Sequence, residues 1–162
     1  MKIFIGSDHA GFELKGKLIS FLENLGYKVI DKGTFEYNSE DDYPDFVSYV
    51  AKEVSVDFEN SKGIVLGGSG QGEAITANRF KGIRAVVFYG SVIAKQNVDV
   101  NGRKNDDPFE IIKLSREHND ANILSLGVRF ISQDEAKKAI KLWLETPFSK
   151  DPRHIRRINK IG

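Results

Sequence analysis

The residues best equipped for chemistry lie in Gly63-Ile-Val-Leu-Gly-Gly-Ser-Gly-Gln-Gly-Glu73, where a short apolar run passes into a glycine-rich turn and delivers one carboxylate where a helix should begin. Glycine lets the backbone fold tightly enough to aim several N–H groups at one point, and a helix start adds positive potential there. Such a concavity stabilises an anion, or a transition state that becomes one. Glu73 sets this loop apart from glycine loops that only turn the chain. A base beside an oxyanion site is the equipment for removing a proton alpha to a carbonyl. The helix start favours the carboxylate and burial opposes it, so a base strong enough to take a carbon-bound proton is expected to be partly buried.

A second cluster is Gly6-Ser7-Asp8-His9-Ala10-Gly11, two titratable side chains between glycines at the end of an apolar run. The pair could handle protons or hold a polar ligand; alternatively Asp8 caps the next helix and His9 is merely exposed. His118, in Ser115-Arg-Glu-His-Asn-Asp-Ala-Asn122, could act on protons or simply sit at a helix C-terminus. Arg153 and Arg157 are four apart, so on a helix both guanidinium groups share a face and could grip a phosphate.

Rival motifs fail on their own terms. Gly6, Gly11 and Asp31 have the wrong spacing for a dinucleotide fingerprint, and Asp8 would repel a pyrophosphate. Glu73 stands where a Walker A loop would continue to its lysine. No pair of histidines or carboxylates has metal-ligand spacing, so neither a metal nor a cofactor is expected.

The elements that must position these groups alternate along the chain. Strands are expected at Lys2 to Gly6, Tyr27 to Asp31, Ile64 to Leu66, Arg84 to Phe88 and Asn122 to Leu126. Helices are expected at Gly11 to Asn24, from Pro44 onward, at Glu73 to Phe80, at Phe109 to Arg116, and at Ser132 to Leu144, where Ser132 and Glu135 spell a capping box. The alternation predicts a single-domain, Rossmann-like α/β sandwich of three layers, with a five-stranded parallel sheet and helices on both faces. Ligands of such sheets bind beyond the carboxyl ends of the strands, where both loops of interest emerge. Residues 91–111 fit the pattern poorly and read as a surface excursion around the polar cluster Asn101 to Pro108.

A chain of 162 residues is long enough for one well-buried core, so residues 1–162 are expected to form one domain. The net charge of +1 gives no general case for nucleic acid or anionic membrane. Residues 148–162 are the exception, with Lys150, Arg153, His154, Arg156, Arg157 and Lys160 against Asp151 alone. Without cysteine there are no disulfides, and neither a signal segment nor a membrane span is visible; a cytoplasmic protein is expected.

Taken as a set, Ser7-Asp-His-Ala-Gly-Phe12, Asp42-Tyr-Pro44, Gly67-Gly-Ser-Gly-Gln-Gly-Glu73, Ala77-Asn, Gly82-Ile-Arg-Ala85, Arg116-Glu-His-Asn119 and Arg153-His-Ile-Arg-Arg157 resemble the type B ribose-5-phosphate isomerases and their galactose-6-phosphate isomerase relatives. The resemblance runs in order over nearly the whole chain. In part of that family a cysteine at the position of Gly67 is the base; this chain resembles the subgroup in which the glutamate matching Glu73 does that work.

The resemblance implies an aldose–ketose isomerase that moves a proton between C1 and C2 through a cis-enediolate. Glu73 would be the base, Ser69 would pass protons between the two oxygens, and His118 would protonate the ring oxygen on opening, assisted by Asp8. The N–H groups around Gly68, Ser69, Gly70, Gln71 and Gly72 would hold the oxyanion, and Asn119 would bond the enediolate region. His9, Arg129, Arg153 and Arg157 match the phosphate-gripping set, which accounts for the basic segment 148–162. A homodimer with shared sites is implied, with His118, Asn119 and Arg129 reaching across, able to pair into a tetramer.

Ribose 5-phosphate is the first expectation for substrate, with galactose or allose 6-phosphate and a tetrose 4-phosphate as alternatives. The excursion at 91–111 makes the chain longer here than the usual member, and could form a lid, enlarge the dimer contact or reshape the sugar pocket. The non-enzyme alternative is a nucleotide-binding module that uses the glycine loop and ignores Glu73.

Overall fold

The computed structural model describes residues 1–161. The elements run β1 (Lys2–Ser7), α1 (Phe12–Asn24), β2 (Lys28–Asp31), α2 (Tyr43–Val56), β3 (Ser61–Gly67), α3 (Gln71–Ala77), β4 (Ala85–Phe88), α4 (Glu110–Glu117), β5 (Ile123–Gly127), α5 (Gln133–Glu145) and α6 (Pro152–Ile161). All five strands are parallel, in the order β2-β1-β3-β5-β4.

Side chains alternate across the sheet and divide the core in two. Ile3, Ile5, Ile64, Leu66, Leu124 and Leu126 face α1, α4 and α5, where Leu18, Leu22, Ile112, Ile140 and Trp143 close the layer. Phe4, Val65 and Ile123 face α2 and α3, against Val47, Val50, Val54 and Ala77. The expected three-layer α/β sandwich is therefore the fold. The Ser132–Glu135 capping box is also present, with the side chain of each residue bonded to the backbone of the other.

Several boundaries shift by a residue or more from the periodicity, and three of the shifts have a clear local reason. A 3₁₀ turn over His9–Gly11 precedes α1 because the Asp8 side chain caps it, accepting from Ala10 N–H at 3.0 Å. Helix α3 ends at Ala77 instead of Phe80, because the Asn78 amide brackets Ala85, donating to its carbonyl at 3.0 Å and accepting from its N–H at 2.8 Å. Strand β3 begins at Ser61, ahead of the apolar run, since pairing with Lys2 of β1 recruits the preceding residues.

Winding from β1 proceeds to β2 on one side, while β3 and β5 lead to β4 on the other. The carboxyl ends of β1 and β3 thus flank the crevice at which a doubly wound sheet accepts ligands. The excursion at 91–111 is fastened down: Arg103 Nη2 lies 2.9 Å from both Glu110 and Glu117 of α4, and Asn105 donates to Glu110 at 2.6 Å.

Candidate active site

The turn after β3 is shaped by contacts with β5. Gly70 has φ of +76° and packs on Leu126, Gly127 and Val87, so a side chain there would be both strained and obstructed. Its carbonyl accepts from the buried hydroxyl of Ser125 at 2.7 Å. The carbonyls of Gly67 and Gly68 accept from the N–H groups of Val128 and Arg129 at 3.0 and 3.2 Å. These bonds hold the loop in place and set Glu73 in the first turn of α3.

Glu73 is 3% exposed, more enclosed than the partial burial expected of it. Burial pushes its carboxyl above the usual carboxylate range; a hydrogen bond from its own N–H opposes the shift and the negative charge of Asp8 adds to it. Burial therefore prevails over the helix start. The carboxylate lies directly over Gly67, in the space a Cβ would fill.

Asp8 and His9 come to the same place from the end of β1. Together with Ala10, Tyr43, Gly68, Ser69, Gly72, Glu73, Arg129 and Phe130 they line an open cleft of about 450 Å³. Burial also raises the Asp8 carboxyl, opposed by His9 and by hydrogen bonds from Ala10 and Gly11. The cleft thus holds two buried carboxyl groups, loop backbone, a hydroxyl, an imidazole and a guanidinium, a set that can exchange protons with a polar ligand while neutralising a negative group on it.

Two expected loop residues stand apart. Gln71 is exposed and its N–H donates to Ser69 Oγ at 3.3 Å, while Gly70 is buried under the loop; neither lines the cleft.

His118 and Asn119 are elsewhere. They follow α4 and precede β5, at the amino edge of the sheet, where Asn119 O accepts from Arg84 Nε at 3.0 Å. A separate cleft of about 290 Å³ holds His118, Asn119, His154 and Arg157 beside Val86 and Val87 of the outermost strand. Burial lowers the pKa of His118, helped by His154, whose ring centroid is 4.2 Å away. Arg153 donates to His154 Nε2 at 3.2 Å, which places the proton of that ring on Nδ1, facing Ser149 Oγ at 3.1 Å.

The two clefts share no lining residue. One is lined from the loops after β1 and β3, whereas the other runs along α4 and α6 beside the edge strand β4. The expected phosphate set divides between them, with His9 and Arg129 beside Glu73, and Arg153 and Arg157 beside His118. Arg129 is the correction: expected to act with His118 and Asn119, it lies in the Glu73 cleft of its own chain. There the backbone bond to Gly68 O draws it back along the glycine loop, and its guanidinium packs over Gly68.

Sequence reasoning also passed over Tyr43 and His154 as site residues. Tyr43 belongs to Asp42-Tyr-Pro44, a stretch already singled out, and its hydroxyl packs on Gly72. His154 lay inside the basic segment, where charge drew attention from the imidazole.

Among the described residues, Asp8, His9 and Asp41 alone gather three potential ligand atoms within 4.8 Å of one another. No helix among them is long and apolar enough to cross a membrane.

Comparison with known proteins places these features in a wider set. The model of a family described as ribose/galactose isomerase matches residues 3–104 and 108–161. Ribose-5-phosphate isomerase B of Mycolicibacterium paratuberculosis is 40% identical over 162 residues, covering 100% of this chain and 90% of that protein. The Escherichia coli K12 protein of the same name is 37% identical, covering 99% and 93%. The crystal structure of ribose-5-phosphate isomerase B from Mycoplasma genitalium with bound ribulose-5-phosphate superposes with a TM-score of 0.85 at 32% identity, covering 99% of this chain and 93% of that one.

Proposed function

The chain belongs to the ribose/galactose isomerase family, and on that premise we propose that it interconverts ribose 5-phosphate and ribulose 5-phosphate by proton transfer through a cis-enediolate. The observation that carries this reading is the buried Glu73 carboxylate, raised in basicity and held beside the glycine loop, Ser69 and Asp8 in one cleft.

In the reaction, Asp8 takes the proton of the anomeric hydroxyl while His118 delivers one to the ring oxygen, opening the furanose. Glu73 removes the proton from C2 of the aldehyde. Charge then moves onto the oxygens at C1 and C2, where the N–H groups of the loop around Gly68, Ser69 and Gly72 receive it; one such donor contributes about 3 kcal/mol to a transition state. Ser69 carries a proton from O2 to O1, and Glu73 returns its own to C1. Asn119 bonds the enediolate region, while His9, Arg129, Arg153 and Arg157 hold the phosphate.

A single chain keeps Glu73 and His118 in different clefts, which supports a homodimer in which each site takes Glu73, Asp8, His9 and Arg129 from one subunit and His118, Asn119, Arg153 and Arg157 from the other. Tyr89, Val92, Ile93 and Ile111, all about half exposed near the His118 cleft, give a second copy an apolar surface to cover. The composition fits a cytoplasmic enzyme that needs no cofactor.

The test is a discontinuous assay with ribose 5-phosphate in deuterated water. Ribulose 5-phosphate carrying solvent deuterium at C1 is the expected product; activity confined to a hexose 6-phosphate or a tetrose 4-phosphate would reassign the substrate, and product without solvent label would overturn the proton-transfer mechanism.

A further inference from the structure

His9 is held from behind by a carboxylate that no step of the reaction uses. Asp41 Oδ1 lies 2.7 Å from His9 Nδ1 and also accepts the His9 backbone N–H at 3.0 Å. The Asp41 side chain is only 8% exposed, and its second oxygen, Oδ2, is buried with no hydrogen-bond partner. Among the described residues no lysine or arginine bridges to it. A carboxylate taken this far from water is costly unless a positive or strongly donating group answers it, and His9 is the group that does.

The segment that brings Asp41 into place is itself fixed. Ser7 N–H donates to Gly33 O at 2.8 Å and Thr34 N–H to Ser7 O at 2.7 Å, stitching the loop after β2 to the end of β1. Lys15, 2% exposed, bonds both oxygens of Asp31 at 2.6 Å and Thr34 O at 2.8 Å. Tyr37 of the same loop sets its ring edge-on to the imidazole, 6.3 Å between centroids at 85°. Asp41 therefore meets an imidazole already confined on two sides.

We propose that Asp41 is a positioning residue: by accepting the Nδ1 proton of His9 it fixes the ring's tautomer and rotation, so that Nε2 faces the cleft as a donor to the phosphate of the substrate. An imidazole without that partner could carry its single proton on either nitrogen, and in one of the two forms Nε2 would turn a lone pair toward an anion. Asp41 removes that form. Facing His9 are Asp8 from the same turn, Asp41 and Tyr37 from the loop after β2, and Tyr43, Glu73 and Arg129 across the cleft. The inference rests on the reading of His9 as a phosphate ligand.

The experiment compares Asp41→Ala, Asp41→Asn, His9→Ala and the Asp41→Ala/His9→Ala double variant in the full-length enzyme. Measured quantities are kcat and KM for ribose 5-phosphate, the inhibition constant of inorganic phosphate, and the imidazole Nδ1 proton signal by NMR. Asp41→Ala is expected to raise both KM and the phosphate inhibition constant about tenfold, with kcat changing less than about threefold, as loss of one oriented charge-assisted bond predicts. The downfield Nδ1 proton should vanish. The double variant should be no worse than His9→Ala, because both act through one contact. Asp41→Asn keeps the shape of the side chain and can still accept from Nδ1, so it should fall between the parent and Asp41→Ala; it also separates lost positioning from lost folding.

If His9→Ala weakens phosphate inhibition but both Asp41 variants match the parent, Asp41 does not position the ring and the phosphate role of His9 stands. Additive effects in the double variant also overturn the inference. If His9→Ala leaves phosphate inhibition unchanged, the reading of His9 fails and the inference fails with it.

Discussion

Gly67 and Glu73 occupy a single volume: the Glu73 carboxylate rests where the Cβ of any other residue at 67 would stand. Gly67 does not have a positive φ, so the demand for glycine is one of space alone. Gly67→Ala should fold but push the base out of its cleft, lowering kcat by at least about 100-fold, the scale of a lost general base. Gly67→Cys should do the same, despite placing a thiol where part of the family keeps its own base. Steady-state kinetics beside a circular-dichroism melt would check both, and parental kcat in either variant would show that Glu73 works from another position.

Glu73→Gln keeps the shape of the side chain and removes its basicity. A fall in kcat of roughly 10³-fold is expected, with ribose 5-phosphate binding little changed. Loss of solvent deuterium incorporation should parallel the loss of turnover, because one carboxylate performs both transfers.

The same carboxylate links pH to both activity and stability. Burial holds the folded-state pKa of Glu73 above the usual range, so the acidic limb of kcat/KM should lie above that of an exposed glutamate. For stability the sign is opposite to that of an ion-paired acid. A raised folded-state pKa means that the fold binds this proton more tightly than the unfolded chain; the support is complete at acid pH and is withdrawn as pH rises through the folded value. Glu73→Gln should therefore melt above the parent near neutral pH, with the difference closing toward about pH 4, where an unperturbed glutamate protonates. Paired thermal melts across that range would measure it, and a variant that melts lower at neutral pH would contradict the sign.

If each site draws on two subunits, two defective chains can repair one another. A Glu73→Gln chain co-expressed with a His118→Ala chain should form hybrids with one intact site and one doubly defective site. With random pairing, about a quarter of parental activity returns from two nearly inactive parents. No recovery in hybrids isolated with two affinity tags would mean that each chain completes its own site.

Arg103 fastens the excursion to α4 through Glu110, itself 2% exposed, and through Glu117. Arg103→Ala should cost about 1–3 kcal/mol by leaving a buried carboxylate under-satisfied. The change should also disturb His118, which directly follows Glu117. A chemical-denaturation midpoint and the ring-opening rate read these two effects separately.

The architecture was legible where periodicity and end signals agreed. Ile3, Phe4 and Ile5 alternate between layers as strand spacing requires, and Ser132 with Glu135 marks the start of α5. Glu73 was legible because a local pattern, glycines followed by a carboxylate, carries its own physics. Arg129 and Tyr43 reach the cleft from the turn after β5 and the start of α2, and Asp41 reaches His9 behind it from the loop before α2, through backbone bonds and packing between segments far apart in the chain. No local spacing encodes such contacts. The edges of α3 and β3 were hidden for a related reason, since Asn78 and Ser61 take their states from partners on other strands.

Glu73 and His118 line separate clefts of one chain, so on the shared-site reading a newly made subunit would be chemically silent. Under the shared-site reading it gains turnover only on meeting a correctly folded twin, so catalysis doubles as an inspection of assembly. At abundances near the pairing threshold, output would then climb faster than the amount of protein synthesised.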